Sequence, residues 1–208
     1  MKSKSRISEV LSALIDLLFA GILWLVCSLP IITLGAASTA LYYAVVKCVR
    51  HNRGRLSSTF FSSFRQNFRQ ATLVWLLFLL YLLIGAADTY AIEQMGFGSD
   101  SVLYLFSRIV LLLPGFLFPW IFAFISRFEN TIKGSLQFCC WLMMRHLGRT
   151  LILALELALA LLIVWLLPQI FPLLPGAICL LMSLTIEPVF RQFQTEEENT
   201  SIDSWYNE

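Results

Sequence analysis

The stretch Leu29-Pro30-Ile31-Ile32-Thr33-Leu34-Gly35 decides how this chain is organised. It interrupts an apolar region, residues 11–46, that is too long for one membrane crossing and too short for two generous ones. A crossing helix needs about 20 mainly apolar residues, because each adds about 1.5 Å against a hydrocarbon core of about 30 Å. Proline followed by glycine is the usual punctuation of a turn. The region therefore reads as a hairpin with its bend at this stretch, crossing either as two spans, 11–29 and 33–49, or as one deep re-entrant loop.

The flanking charges demand an even number of crossings. Lys2, Lys4 and Arg6 precede the hairpin, and Lys47, Arg50, Arg53, Arg55, Arg65 and Arg69 follow it. Short loops rich in Lys and Arg stay in the cytoplasm. Four further apolar stretches lie at 71–91, 102–126, 149–167 and 170–189, the last two separated by Pro168 and by Pro172 to Pro175. Arg127, Lys133, Arg145 and Arg149 lie between the fourth and fifth, and Arg191 follows the sixth. Six crossings as three hairpins place fourteen of the fifteen basic residues on one side, leaving only Arg108, while Asp88, Glu93 and Asp100 fall on the other. Five crossings would misplace a basic cluster.

Composition agrees. Of 208 residues 58% are hydrophobic and 13% charged, with a mean hydropathy of +0.76; soluble domains carry about 25% charged residues. The expected fold class is all-α, a polytopic transmembrane helical bundle in a bacterial plasma membrane. Residues 1–190 form a single membrane domain, both termini are cytoplasmic, and 191–208 make an acidic tail carrying Glu196, Glu197, Glu198, Asp203 and Glu208. The basic start could imitate a secretory signal, but its apolar run is about twice a normal signal core and contains Asp16, so it reads as retained.

Two basic connectors are amphipathic. Phe60, Phe64 and Phe68 recur every fourth residue and share one helix face, with Arg65, Asn67 and Arg69 off it. In the second, 130–149, Ile132, Leu136, Cys140 and Met143 lie on one side. Both read as interfacial helices feeding the next span.

Several of these residues also form blocks. Cys27-Ser28-Leu29-Pro30 through Leu41-Tyr42-Tyr43 resembles the opening signature of the YesL-like family, a bacterial domain of unknown function. Phe60 to Thr72 resembles that family's Phe-x-x-Phe-x-x-Asn-Phe-x-x-Ala-Thr block, and Arg127-Phe128-Glu129-Asn130-Thr131 resembles its Ser-Arg-Phe-Asp/Glu-Asn motif. The resemblance covers residues 10–190 and stops at the tail. It implies a multi-span plasma-membrane protein associated with carbohydrate uptake and sensing systems, and it supplies no catalytic residues.

Intramembrane carboxylates are the first candidates for function, since a charge near the bilayer centre costs several kcal/mol. Asp16, Glu156 and Glu187 all fall in the cytoplasmic half of their spans, level with Arg127, Arg145 and Arg149. These six form a candidate polar cluster, either a proton or substrate site or a set of structural pairs at helix ends. The run Gly35-Ala36-Ala37-Ser38-Thr39-Ala40 permits close helix packing, which is the commoner use of small residues in lipid.

Chemistry that would mark an enzyme is missing: there is no Gly-x-Ser-x-Gly, no Gly-Lys-Ser/Thr and no His-Glu-x-x-His. The five cysteines and two histidines are scattered, so neither a disulfide framework, a metal site nor any cofactor is expected. The basic residues line membrane edges, which suits anionic lipid at the cytoplasmic face and not nucleic acid. The expected function is an accessory or regulatory subunit of carbohydrate transport or sensing, with a sugar-transporter permease or a sensor kinase as partner. The alternative is a small solute or proton-coupled transporter using its intramembrane carboxylates.

Overall fold

The computed structural model describes residues 2–95, 101–128 and 130–193, and these are helical with short connections. Helix α1 (Lys2–Ser28) is followed by a 3-10 turn (Ile31–Thr33) and by α2 (Leu34–Ala44), which continues as a π-helical turn (Val45–Arg50). Then come α3 (Leu56–Gln94), α4 (Val102–Arg127), α5 (Ile132–Arg145), α6 (Leu147–Leu166) and α7 (Leu174–Phe190). Six segments are long and apolar enough to cross a membrane; α5 is not among them. The chain is a multi-pass helical membrane protein. Of the acidic tail only Arg191–Phe193 lies within the described residues, as do none of Gly96, Phe97, Gly98 and Asp100 in the α3–α4 connection.

The first bend is built as its sequence asks. Pro30 ends α1, having no N–H to continue the ladder. The Thr33 hydroxyl donates to the carbonyls of Cys27 (2.5 Å) and Pro30 (2.7 Å), tying the two helix ends together. Trp75 of α3 clamps the bend from outside, its indole N–H donating to the Ile31 carbonyl at 2.7 Å. One turn on, Gly35 lies so close to α3 that a Cβ there would sit 2.6 Å from both the Ala71 carbonyl oxygen and the Trp75 Cβ. Ala36, Ala37, Thr39 and Ala40 are buried along with Gly35, and half-buried Ser38 accepts a hydrogen bond from Trp24 at 3.2 Å.

Helix α3 is the spine. Its 39 residues rise about 58 Å at ~1.5 Å each, nearly twice a bilayer core. α2 runs antiparallel along its first half, from Gly35 beside Ala71 to the Cys48 thiol, which donates to Thr59 at 3.5 Å. α4 runs antiparallel along its second half. Trp75 meets Phe118 with ring centroids 5.8 Å apart, the Tyr81 hydroxyl donates to the Val110 carbonyl (2.6 Å), and Ser107 donates to Asp88 (2.9 Å). The α3–α4 hairpin thus continues past the first bend, with apolar side chains such as Leu83 (69% exposed) and Phe106 (63%) facing outward.

The third hairpin closes the bundle against α1. Gly21 lies against the Pro172 carbonyl and Gly176 against the Leu17 backbone. These pairs run in opposite directions along the chain, so α1 and α7 are antiparallel. The start of α1, the α2–α3 turn, α5 and the end of α7 consequently share one end of the bundle. That turn reverses through two residues of positive φ, Asn52 (52°) and Gly54 (83°).

The amphipathic stretches are helical as expected, and the structure adds what covers them. Phe60 to Phe68 belongs to α3 itself, and its aromatic face is graded: Phe60 is fully buried in a cluster with Ala44 of α2 and Cys48 of the π-helical turn, Phe64 is half-buried, and Phe68 is exposed. In α5 the inward stripe is Ile132, Ser135, Leu136, Cys139 and Leu142, with Cys140 outside. The helix breaks at His146, which resets the face before α6.

Gly35→Ala forces neighbours apart and is expected to lose about 1–3 kcal/mol, as overpacking of a tight contact does. Gly115→Ala, where a Cβ meets nothing within 4 Å, is expected to be neutral or slightly stabilising. Thermal midpoints of the two variants in detergent micelles check the contrast.

Candidate functional site: a buried ion pair and an apolar cavity

Polar side chains collect where α2, α4 and α7 come together at the basic end. Glu187 lies in the last turn of α7 and Arg127 closes α4; both side chains are 1% exposed and form an ion pair through Nη1 and Oε2. The other carboxylate oxygen accepts from the Tyr42 hydroxyl of α2 at 3.0 Å. Three helices are thus joined through one carboxylate, and each of its oxygens has a donor. A buried charge without partners costs far more than one paired and hydrogen-bonded.

One turn earlier on α7, Ser183 receives Arg50 from the π-helical turn. Arg50 Nη1 donates to the Ser183 carbonyl (2.7 Å) and hydroxyl (3.2 Å), while that hydroxyl donates to Leu180 (2.7 Å). His51 follows. Partial burial lowers its pKa from the usual imidazole value, and Arg50, Arg191, Arg127 and Arg53 lower it further, which favours the neutral ring. Burial, with Arg149 and Arg145, does the same to His146 at the α5–α6 break.

Of the six residues expected to cluster, Arg127 and Glu187 meet directly. Glu156 of α6 meets α7 at a different residue, Thr185, whose hydroxyl donates to Oε1 at 3.4 Å. Its Oε2 is buried and has no hydrogen-bond partner among the described residues, as is true of Arg149 Nη1. Arg145 lies outside, exposed and stacked over Trp141 at 5.2 Å. Asp16 is half-buried on α1, near enough to Cys48 for its charge to act on that thiol. The single cluster therefore resolves into one joined pair, one carboxylate bonded to Thr185, and three residues that make no hydrogen bond to these among the described residues. Tyr42, Arg50, His51 and Ser183 belong to the network and were not singled out by sequence. Their signal was faint: a tyrosine among aromatics, an arginine among many, and a serine within an apolar span.

Above the network lies a cavity of about 230 Å³ between α1, α2, α4, α6 and α7. Trp24, Leu41, Phe122, Leu157 and Met182 line it, and Tyr42 contributes to its wall while reaching Glu187 with its hydroxyl.

The blocks recognised in the sequence now have physical tasks. Thr33 ties the first bend, Gly35 permits the approach to α3, and Tyr42 holds Glu187. Residues 17–89 match the family DUF624. Its description is "Protein of unknown function, DUF624", and the YesL-like proteins belong to it, in accord with the resemblance read from the sequence. No curated protein and no solved structure matches the chain. The DUF624 match carries the first bend and most of the spine, whereas Arg127 and Glu187 lie beyond it. In the block following α4, Phe128 stacks on Phe124 (4.8 Å), and Thr131 caps α5 by accepting from the Gly134 N–H at 3.2 Å.

Arg127→Ala leaves a buried carboxylate without its cation and is expected to cost about 3–5 kcal/mol. Arg127→Met combined with Glu187→Leu should recover most of that loss. Unfolding in micelles of the two single variants and the double measures the coupling; a double-variant loss equal to the sum of the single losses would show that the two residues are not coupled.

Proposed function

We propose that this chain is a non-enzymatic accessory or regulatory subunit of a carbohydrate transport or sensing system in a bacterial plasma membrane, with both termini in the cytoplasm. The observation that carries the reading is the character of the interior. Its most deeply buried charges, Arg127 and Glu187, are paired at one end, and its cavity is lined mainly by hydrocarbon and aromatic rings. A sugar needs convergent hydrogen-bond donors and acceptors to leave water, and this lining offers few. The family resemblance supports the link to carbohydrate systems, and gathering the basic segments at one end supports a cytoplasmic face in contact with anionic lipid. The partner in this reading is a sugar-transporter permease or a sensor kinase, docked on exposed apolar helix surface. Reproducible co-purification of such a partner from native membranes is expected, and recovery of the chain alone overturns the reading.

Glu156 favours a second reading, a small solute or proton-coupled transporter. A buried carboxylate oxygen without a donor is the kind of group that takes up a proton or cation. In that case Glu156→Gln abolishes flux in proteoliposomes; under the accessory reading the wild-type chain carries no flux for the variant to lose.

A further inference from the structure

We propose that α4 carries a hinge at Pro114 and Gly115 which the Tyr81 hydroxyl latches, so that its outer half, residues 102–113, swings away from α3. The first support is the backbone. In an α-helix the Val110 carbonyl takes its hydrogen bond from the N–H of residue 114, and here that residue is proline, which has none. Pro119 withdraws the donor for the Gly115 carbonyl in the same way. Water cannot make good such a loss inside a bilayer, so another part of the protein must. At Val110 it is Tyr81 of α3, whose hydroxyl donates to that carbonyl at 2.6 Å. Beside the proline, a Cβ on Gly115 would meet nothing within 4 Å among the described residues, which leaves the backbone room to bend.

The second support is how differently the two halves of α4 are held. Every residue from Pro119 to Ser126 is buried, and the Trp120 indole N–H donates to Thr150 of α6 at 3.2 Å. In the outer half Leu105, Phe106, Ile109 and Leu112 are exposed. That half rests on α3 through Leu111 against Gly85, the Tyr81 bond, and Ser107 bonded to Asp88 at 2.9 Å. At the pivot an apolar cavity of about 170 Å³ lies between α3, α4 and α5, lined by Val74, Phe78, Tyr81, Pro114, Leu117 and Leu136. Latch and hinge both stand in its wall, so the seam that parts when the latch opens leads into this space. α3 has no proline and stays straight, which makes α4 the moving partner. The hinge depends on the membrane reading and is independent of any solute or partner protein.

Amide hydrogen exchange of the full chain in detergent micelles, resolved peptide by peptide, is the test. Tyr81→Phe is expected to speed exchange in 102–113 roughly fivefold, the effect of losing one hydrogen bond, and to leave 119–126 unchanged. Pro114→Ala gives the Val110 carbonyl its N–H back. Exchange in 102–113 then falls below that of the wild type, and adding Tyr81→Phe has little further effect. Gly115→Ala is expected to slow the same peptide by favouring helix at an open position. If Tyr81→Phe is not monodisperse, Pro114→Ala and Gly115→Ala decide the matter. An equal effect of Tyr81→Phe with and without Pro114 overturns the proposal, since the bond would then not stand in for the missing N–H. So does faster exchange spread evenly over the chain, which would make Tyr81 a general packing residue. Exchange in 102–113 that neither Pro114→Ala nor Gly115→Ala slows overturns it as well.

Discussion

Three helices meet at Gly35, and the architecture depends on how closely they do so. With no side chain on Gly35, α2 can set its backbone against Ala71 and Trp75 of α3 and the Phe122 ring of α4. In lipid the surrounding solvent is as apolar as the side chains, so helix association rests on close packing and hydrogen bonds more than on the hydrophobic effect. The small residues of α2 supply the packing, and the Trp75 indole bonded to the Ile31 carbonyl supplies the hydrogen bond. Because this contact falls near the middle of α3, it also divides the spine between its two partners.

The Arg127–Glu187 pair does different work. Two charges removed from water repay their desolvation only when geometry and further hydrogen bonds are good. Tyr42 provides the extra bond, and Phe190, on the next turns of α7, packs against Phe124 and Phe128 at 6.2 and 5.5 Å. An ion pair of this kind adds little to net stability against a hydrophobic substitute. It does fix which faces of α4 and α7 meet, since any other register would strand a buried charge.

Much of this was legible in the sequence, for definable reasons. Span length and charge asymmetry are properties of single segments, so six apolar helices, three hairpins and a bend at Pro30 could be read directly. Depth along the spans groups Arg127 and Glu187 with four other residues but does not pair any two of them. Depth says nothing about which way a helix is turned, and for that reason Arg145 and Asp16 were grouped with residues they do not reach. The Phe60 face was read against lipid because a sequence shows amphipathicity without showing what covers it. In α5 a four-residue step from Leu136 puts Cys140 on the apolar side with Ile132 and Met143, whereas the buried residues are Ser135, Cys139 and Leu142.

The unbroken length of α3 has a mechanical consequence. The helix contains no proline between Leu56 and Gln94, so nothing in it acts as a joint. Anything that pushes on its outer part, whether altered bilayer thickness or a neighbouring protein, rotates the rod as a whole about its crossing with α2 and α4. A tilt of about 5° displaces one end by about 5 Å relative to the other over such a length. That is as large as the spacing between adjacent turns, and it would be felt where Leu56 begins, beside the arginines at the opposite end of the molecule.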